Sequence, residues 1–171
     1  MSLHLVEEKV WKTEFLNAFE DRNALLTVKD GEGCNPMTIG WCQVGRLWRL
    51  PVCTVYVRPE RYTDHLLEKE KYFTVSVMPE ERKTAVAYCG SHSGRDSDKV
   101  QACGLTVRHG AGDAPFFEEA EMVLVCRKLF TQDMTSACCE KDERVLRFYG
   151  EAEGGWHRSY IGEIVEVYQA D

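Results

Sequence analysis

Hydrophobic and polar positions alternate along this chain over short runs, and turn-forming residues interrupt the runs often. "ALLTVKDGEGCNPMTIGWCQVG" (24–45) reads as two strands around a tight Asp30-Gly31-Glu32-Gly33 turn. "PVCTVYVR" (51–58) and "FTVSVM" (73–78) concentrate β-branched and aromatic residues, which suit a pleated surface. "EMVLVCRKLFTQ" (121–132) and "SYIGEIVEVYQ" (159–169) predict two longer strands. Helical signals are fewer. Val6 to Phe19 places Val10, Trp11, Phe15, Leu16 and Phe19 at helix-like spacing. "RYTDHLLEKEKY" predicts a short helix capped at Thr63 or Asp64, and "PEERKTAVAYCG" one that opens on proline and acids and closes on Gly90. A further short helix is expected through Val100 to Cys103. The balance is mainly β, an antiparallel β-barrel with flanking helices rather than a parallel α/β sheet. The long strands imply edges that a second subunit would cover.

Length and composition narrow this picture. The 171 residues suit one domain (1–171), with its motif-bearing core at about 22–169, and there is no repeat or linker. The net charge of -7 argues against a general nucleic-acid binder, because phosphate contacts need a basic surface. No window is apolar enough to span a membrane, and "MSLHLVEEKVWK" carries acids where a signal peptide needs an apolar run, so a cytoplasmic protein is expected. The eight cysteines include no Cys-x-x-Cys pair, and the adjacent Cys138 and Cys139 are poor joint ligands for a tetrahedral ion. No metal site is expected, and most of the thiols read as small packed hydrophobes.

Three stretches carry candidate chemistry. "CGSHSGRDSDK" (89–99) buries almost nothing. It is either a solvated loop or an anion-holding one, with His92, Ser93 and Gly94 turned inward, Arg95 forking onto a phosphate and Lys99 adding a point charge. A helix beginning near Arg95 or Asp96 would reinforce that site, while Asp96 and Asp98 would cap it or brace the arginine. In "NPMTIGW" (35–41), Gly40 would let a flat ligand approach the backbone; alternatively Met37, Ile39 and Trp41 simply face the core. "RPERYT" (58–63) puts Arg58, Arg61, Tyr62 and Thr63 at a strand-to-helix corner, which suits a phosphate or an ordinary capped corner.

With "FTVSVMPEE" (73–81) and "YIGEIVEV" (160–167), these stretches resemble, in order, the flavin reductase-like family of FMN-binding split barrels. The resemblance implies a six-stranded Greek-key split barrel that forms a homodimer with flavin at the subunit interface. It implies that Met37, Thr38, Ile39, Gly40 and Trp41 lie along the isoalloxazine ring. It also implies that Ser93 to Lys99 surround the ribityl phosphate, helped by Arg58, Arg61, Tyr62, Thr63 and His92. The expected activity is hydride transfer from NADH or NADPH to the flavin, then onward to a small-molecule or protein acceptor; the alternative is an electron carrier blind to nicotinamides. Members often carry Gly-Asp-His before the last strand; here "GGWHRSYIGEI" keeps Gly155 and His157, the candidate catalytic residue, but puts Trp156 in place of the acid. Cys42, Cys53 and Cys89 fall within or beside the matched motifs, where a thiol could be redox-active.

Overall fold

A computed structural model describes residues 3–5, 24–150 and 154–170. The helix expected over Val6 to Phe19 lies outside them. The strands are β1 (Leu3–Leu5), β2 (Ala24–Asp30), β3 (Gly33–Ile39), β4 (Cys42–Leu47), β5 (Leu50–Val57), β6 (Tyr72–Val77), β7 (Val107–His109), β8 (Pro115–Phe117), β9 (Met122–Asp133) and β10 (Arg158–Ala170). The helices are α1 (Tyr62–Lys69), α2 (Lys83–Ser91), α3 (Lys99–Cys103) and α4 (Glu143–Leu146).

One antiparallel sheet runs in the order β3-β2-β6-β9-β10-β5-β4, with β1 added beside β10. β3 and β4 stand at opposite ends of this path, yet only Gly40 and Trp41 separate them in the chain. The sheet therefore curls until its two ends nearly meet at that joint. Counted as one strand broken at Gly40–Trp41, β3 and β4 leave the six strands of a split barrel. The stretch 24–45 thus holds most of three strands rather than two. β4 was hidden because its hairpin to β5 turns on Trp48 and Arg49, both at positive φ (53° and 64°), with neither glycine nor asparagine to announce it.

β2, β6 and the first half of β9, to Cys126, are buried on both faces, which suits the apolar runs Ala24–Leu26 and Met122–Cys126. Inside the curl, Leu26, Val28, Val55, Phe73, Val75, Leu124 and Tyr160 pack against Leu66 and Leu67 of α1. On the other face, Leu25, Val123 and Val125 pack against Val86 and Cys89 of α2 and against Phe116 and Phe117 of the β7–β8 ribbon. That ribbon is anchored by the two phenylalanines, both fully buried.

Two helix starts differ from expectation. α1 begins at Tyr62 with extended Arg61 as its N-cap residue; Thr63 and Asp64 sit in the first turn, both buried. They are held by tertiary bonds instead. Thr63 accepts from Asn35 Nδ2 at 2.8 Å, and Asp64 accepts from the Tyr160 hydroxyl at 2.6 Å and Arg158 Nη1 at 3.0 Å. α3 begins at Lys99, four residues after Arg95, because Asp98 caps it by accepting from the Gln101 amide.

Asp64 thus ties α1 to β10 through charge-assisted bonds in a dry setting, and burial holds its carboxyl above the usual range. Tyr160→Phe removes one of those bonds and leaves a buried carboxylate oxygen short of a donor. We expect a loss of about 1–3 kcal/mol in urea unfolding, with the slope of the transition unchanged.

Candidate functional site

The curl leaves two adjoining clefts beside β3. The first, about 200 Å3, is lined by Met37 to Trp41 together with Tyr56, Arg58, Arg61, Phe148 and His157. The second, about 180 Å3, is lined by Glu60 to Thr63, Cys89, Ser91 to Arg95 and Lys99. Met37 and Arg61 belong to both.

In the first cleft the wall is backbone as much as side chain. β3 is a terminal strand, so the backbone edge it turns away from β2 has no strand partner. Met37 and Ile39 point into the core, whereas Trp41, past the break at Gly40, is 39% exposed. The core reading of this stretch therefore holds for the first two residues and not the third. Thr38 fixes the strand by donating its hydroxyl to the Val86 carbonyl of α2. Opposite stand aromatic groups that sequence reasoning missed. Trp41 meets Phe148 edge-on at 5.2 Å, and Tyr149 stacks on Trp156 at 4.0 Å. Phe148 and Tyr149 were visible as an aromatic pair in "RFYG", but nothing in the sequence places that loop over β3.

His157 sits between Trp41 and Tyr149, at ring separations of 4.8 and 5.6 Å. Its Nδ1 is buried without a hydrogen-bond partner among the described residues. Burial, and then the nearby Arg58 guanidinium, push its pKa down to about 4. At neutral pH the imidazole is therefore an uncharged ring in an aromatic wall.

Arg58 was expected near a phosphate. Its guanidinium instead donates to the carbonyls of Gly155 at 2.7 Å and Phe148 at 3.1 Å, bracing the aromatic loop over the first cleft. The second cleft holds the remaining cations. Arg61 has no side-chain hydrogen bond or ion pair among the described residues. Arg95 lies over the Tyr62 ring at 5.2 Å and reaches the Glu60 carbonyl at 3.5 Å. Lys99 is 4% exposed and likewise has no side-chain hydrogen bond or ion pair among the described residues. Burial holds its pKa below the usual lysine value, and Arg61 adds to the effect. Lys99, a buried residue, and Arg61, an exposed one, line the same polar cleft and make a place for an anion.

The loop beside these cations is bonded largely to itself. Ser93 accepts from the Arg95 amide through Oγ, and from the Asp96 and Ser97 amides through its carbonyl. Gly94 is required for close packing: a Cβ there would lie 2.1 Å from Asn35 Oδ1. His92 lines the second cleft, stacked on Tyr88 at 3.8 Å with Nδ1 beside the Tyr88 carbonyl.

Comparison with known proteins bears on family and fold. Residues 16–171 match the family described as flavin reductase like domain. The chain belongs to the flavin reductase-like family. Its fold matches flavoredoxin from Methanosarcina acetivorans with a TM-score of 0.70 and 22% identity, covering 88% of this chain and 69% of that one. An FMN-binding protein from Thermus thermophilus with bound p-hydroxybenzaldehyde matches at 0.67 and 27%, covering 88% and 72%. The FMN-binding domain of a flavin reductases-like enzyme from Shewanella baltica OS155 matches at 0.67 and 18%, covering 98% and 76%. No curated protein sequence matches. The flavin reductase-like chain thus carries an aromatic cleft and a cationic cleft side by side.

The His157 shift predicts how stability depends on pH. The unfolded imidazole takes up a proton below about pH 6.5, whereas the folded one refuses it until about pH 4. Stability should therefore fall as pH drops from about 6.5 to 4 and then level off. The loss is on the order of 3 kcal/mol before solvent screening of the half-buried ring reduces it. His157→Phe keeps a ring in the wall and should flatten that part of the curve in denaturant titrations at stepped pH.

Proposed function

We propose that this protein is an FMN-binding oxidoreductase that takes electrons from NADH or NADPH and passes them to a small-molecule or protein acceptor. The observation that carries the proposal is the buried, unpaired Lys99 beside Arg61, one cleft away from the open backbone edge of Met37 to Ile39. Bound FMN would supply the redox chemistry. Lys99, Arg61 and the Ser93–Arg95 loop would hold its phosphate. The edge of Met37 to Ile39 would offer backbone groups to the pyrimidine end, and Trp41, Phe148 and His157 would shield the ring from water. His157 is a neutral imidazole at neutral pH, so its part would be to pack and orient rather than to act as a general acid.

A homodimer is part of the same reading. Leu47, Trp48, Leu129, Phe130 and Val165 are exposed on β4, its turn, β9 and β10, with Trp48 and Phe130 in ring contact at 6.0 Å. A second copy covering them would remove apolar surface from water. The carrier reading keeps the flavin and drops the nicotinamide. Trp156 favours it, because this residue stands where other members have an acid and stacks on Tyr149 beside His157.

Anaerobic addition of NADH or NADPH to FMN-loaded protein separates the two. We expect the visible flavin band to bleach; a band left unchanged by both would make the protein a carrier. Lys99→Gln should weaken FMN binding by about 1.5–3 kcal/mol, roughly ten- to a hundredfold, in fluorescence titration.

A further inference from the structure

Of the eight cysteines, Cys138 is the exposed one. Cys139 follows it, half-buried, on the connection between β9 and β10. A tight turn, Ser136–Cys138, shapes this segment: the Cys138 amide donates to the Thr135 carbonyl at 3.0 Å and the Cys139 amide to the Ser136 carbonyl at 3.3 Å. The Cys138 sulfur accepts from the Thr135 hydroxyl at 3.5 Å, and the Cys139 thiol donates to the Glu140 carbonyl at 3.1 Å. Neither sulfur belongs to the apolar core.

This turn leaves from the rim of the first cleft. Met134, just before Thr135, donates its amide to the carbonyl of His157 at 2.9 Å, and His157 lines that cleft. Cys139 also lies close enough to Tyr149 to act on its hydroxyl: burial raises the Tyr149 pKa, and Cys139 adds to the rise. Tyr149 in turn meets Trp41 edge-on at 6.4 Å and stacks on Trp156. The two thiols and the aromatic wall thus belong to one connection.

We propose that Cys138 and Cys139 form a dithiol that carries electrons out of the first cleft to an external disulfide. The proposal rests on the flavin reading above and narrows its acceptor to that chemical class. Adjacent α-carbons lie roughly 3.8 Å apart, short of the range of about 4.4–6.8 Å that relaxed disulfides span. A bond between Cys138 and Cys139 is therefore strained, and a strained, exposed disulfide is readily reduced. It suits a carrier rather than a staple. In the first half of the cycle the Cys138–Cys139 bond breaks. The pair takes two electrons and two protons from reduced flavin and becomes two thiols, and the flavin is left oxidised. In the second half the accessible Cys138 attacks the external disulfide as a thiolate and expels one thiolate from it. Cys139 then attacks the mixed disulfide, expels the other thiolate and restores the bond. The two released thiolates take up the protons that the pair gives up.

The test uses FMN-loaded protein, its flavin reduced by light under anaerobic conditions, with oxidised glutathione as the external disulfide. Flavin absorbance and released glutathione are both read. We expect the flavin to reoxidise as two glutathione thiols appear for each flavin. Cys138→Ser and Cys139→Ser should each slow this by about tenfold or more. Cys139→Ser should also trap glutathione on Cys138, an adduct that mass spectrometry finds in the variant and not in the wild-type protein, where Cys139 resolves it. Flavin that stays reduced in the wild-type protein, or reoxidises equally fast in both variants, would overturn the proposal and leave the flavin reading intact. Protein that cannot be loaded with FMN at all would overturn both.

Discussion

Two strands that follow each other in sequence, β3 and β4, lie at opposite ends of the sheet. A joint of Gly40 and Trp41 cannot span an open seven-strand sheet, so the sheet has to curl. That requirement produces the rest. It leaves the backbone edge of β3 without a strand partner, sets Trp41 outside the core, and brings the loop between β9 and β10 over the seam. The cleft is the gap that the curl leaves unsealed. A longer joint would let the ends drift apart, and the aromatic wall would lose the strand it faces.

Charge is distributed against the average. The chain is acidic, with net charge -7, yet Arg61, Arg95 and Lys99 gather around one small cleft. Burying an ammonium is costly unless an anion answers it. Lys99 keeps its place because α3 begins there, and that start is fixed by the Asp98 cap. Arg58, close by in sequence, does a different job: both of its terminal nitrogens bond carbonyls of the loop that bears Phe148 and His157. Of two neighbouring arginines, one is left for a ligand and the other holds the wall.

Most strands were legible because β2, β6 and the first half of β9 are buried on both faces and their composition says so. β4 was not, since its flanking signals are a glycine that bends rather than ends a strand and a turn built from Trp48 and Arg49. The helix caps were misplaced for a related reason. Thr63 and Asp64 look like capping residues, but their side chains are taken by Asn35, Tyr160 and Arg158, and those partners are distant in sequence. At the site, the stretches Asn35–Trp41, Arg58–Thr63 and Cys89–Lys99 supply residues that line the two adjoining clefts. What sequence could not assign was which side chains inside them are bonded: Arg58 is committed to two carbonyls, while Arg61 and Lys99 have no side-chain hydrogen bond or ion pair among the described residues. The aromatic wall of Phe148, Tyr149 and Trp156 depends on how a long connection folds back, and no local pattern encodes that.

The thiols raise the question of where electrons can go in such a protein. Cys42 follows Trp41 directly, and its Sγ lies 3.3 Å from Cys53 Sγ; Cys89 lines the cationic cleft, 4.0 Å from Cys103. Proximity alone would suggest redox exchange, but the nucleophile in such chemistry is the thiolate. The Cys42 thiol is held protonated by its hydrogen bond with Cys53 and by burial. Burial, then Cys103, push Cys89 up to about 12, and burial does the same for Cys34. Lys99, the cation nearest to Cys89 in effect, lowers that value but ranks below burial and Cys103 among its causes. Held as thiols by burial and by their neighbours, Cys34, Cys42 and Cys89 are poor nucleophiles at neutral pH. The redox role proposed for the clefts therefore falls to what binds in them, where Arg61 and Lys99 suit an anion.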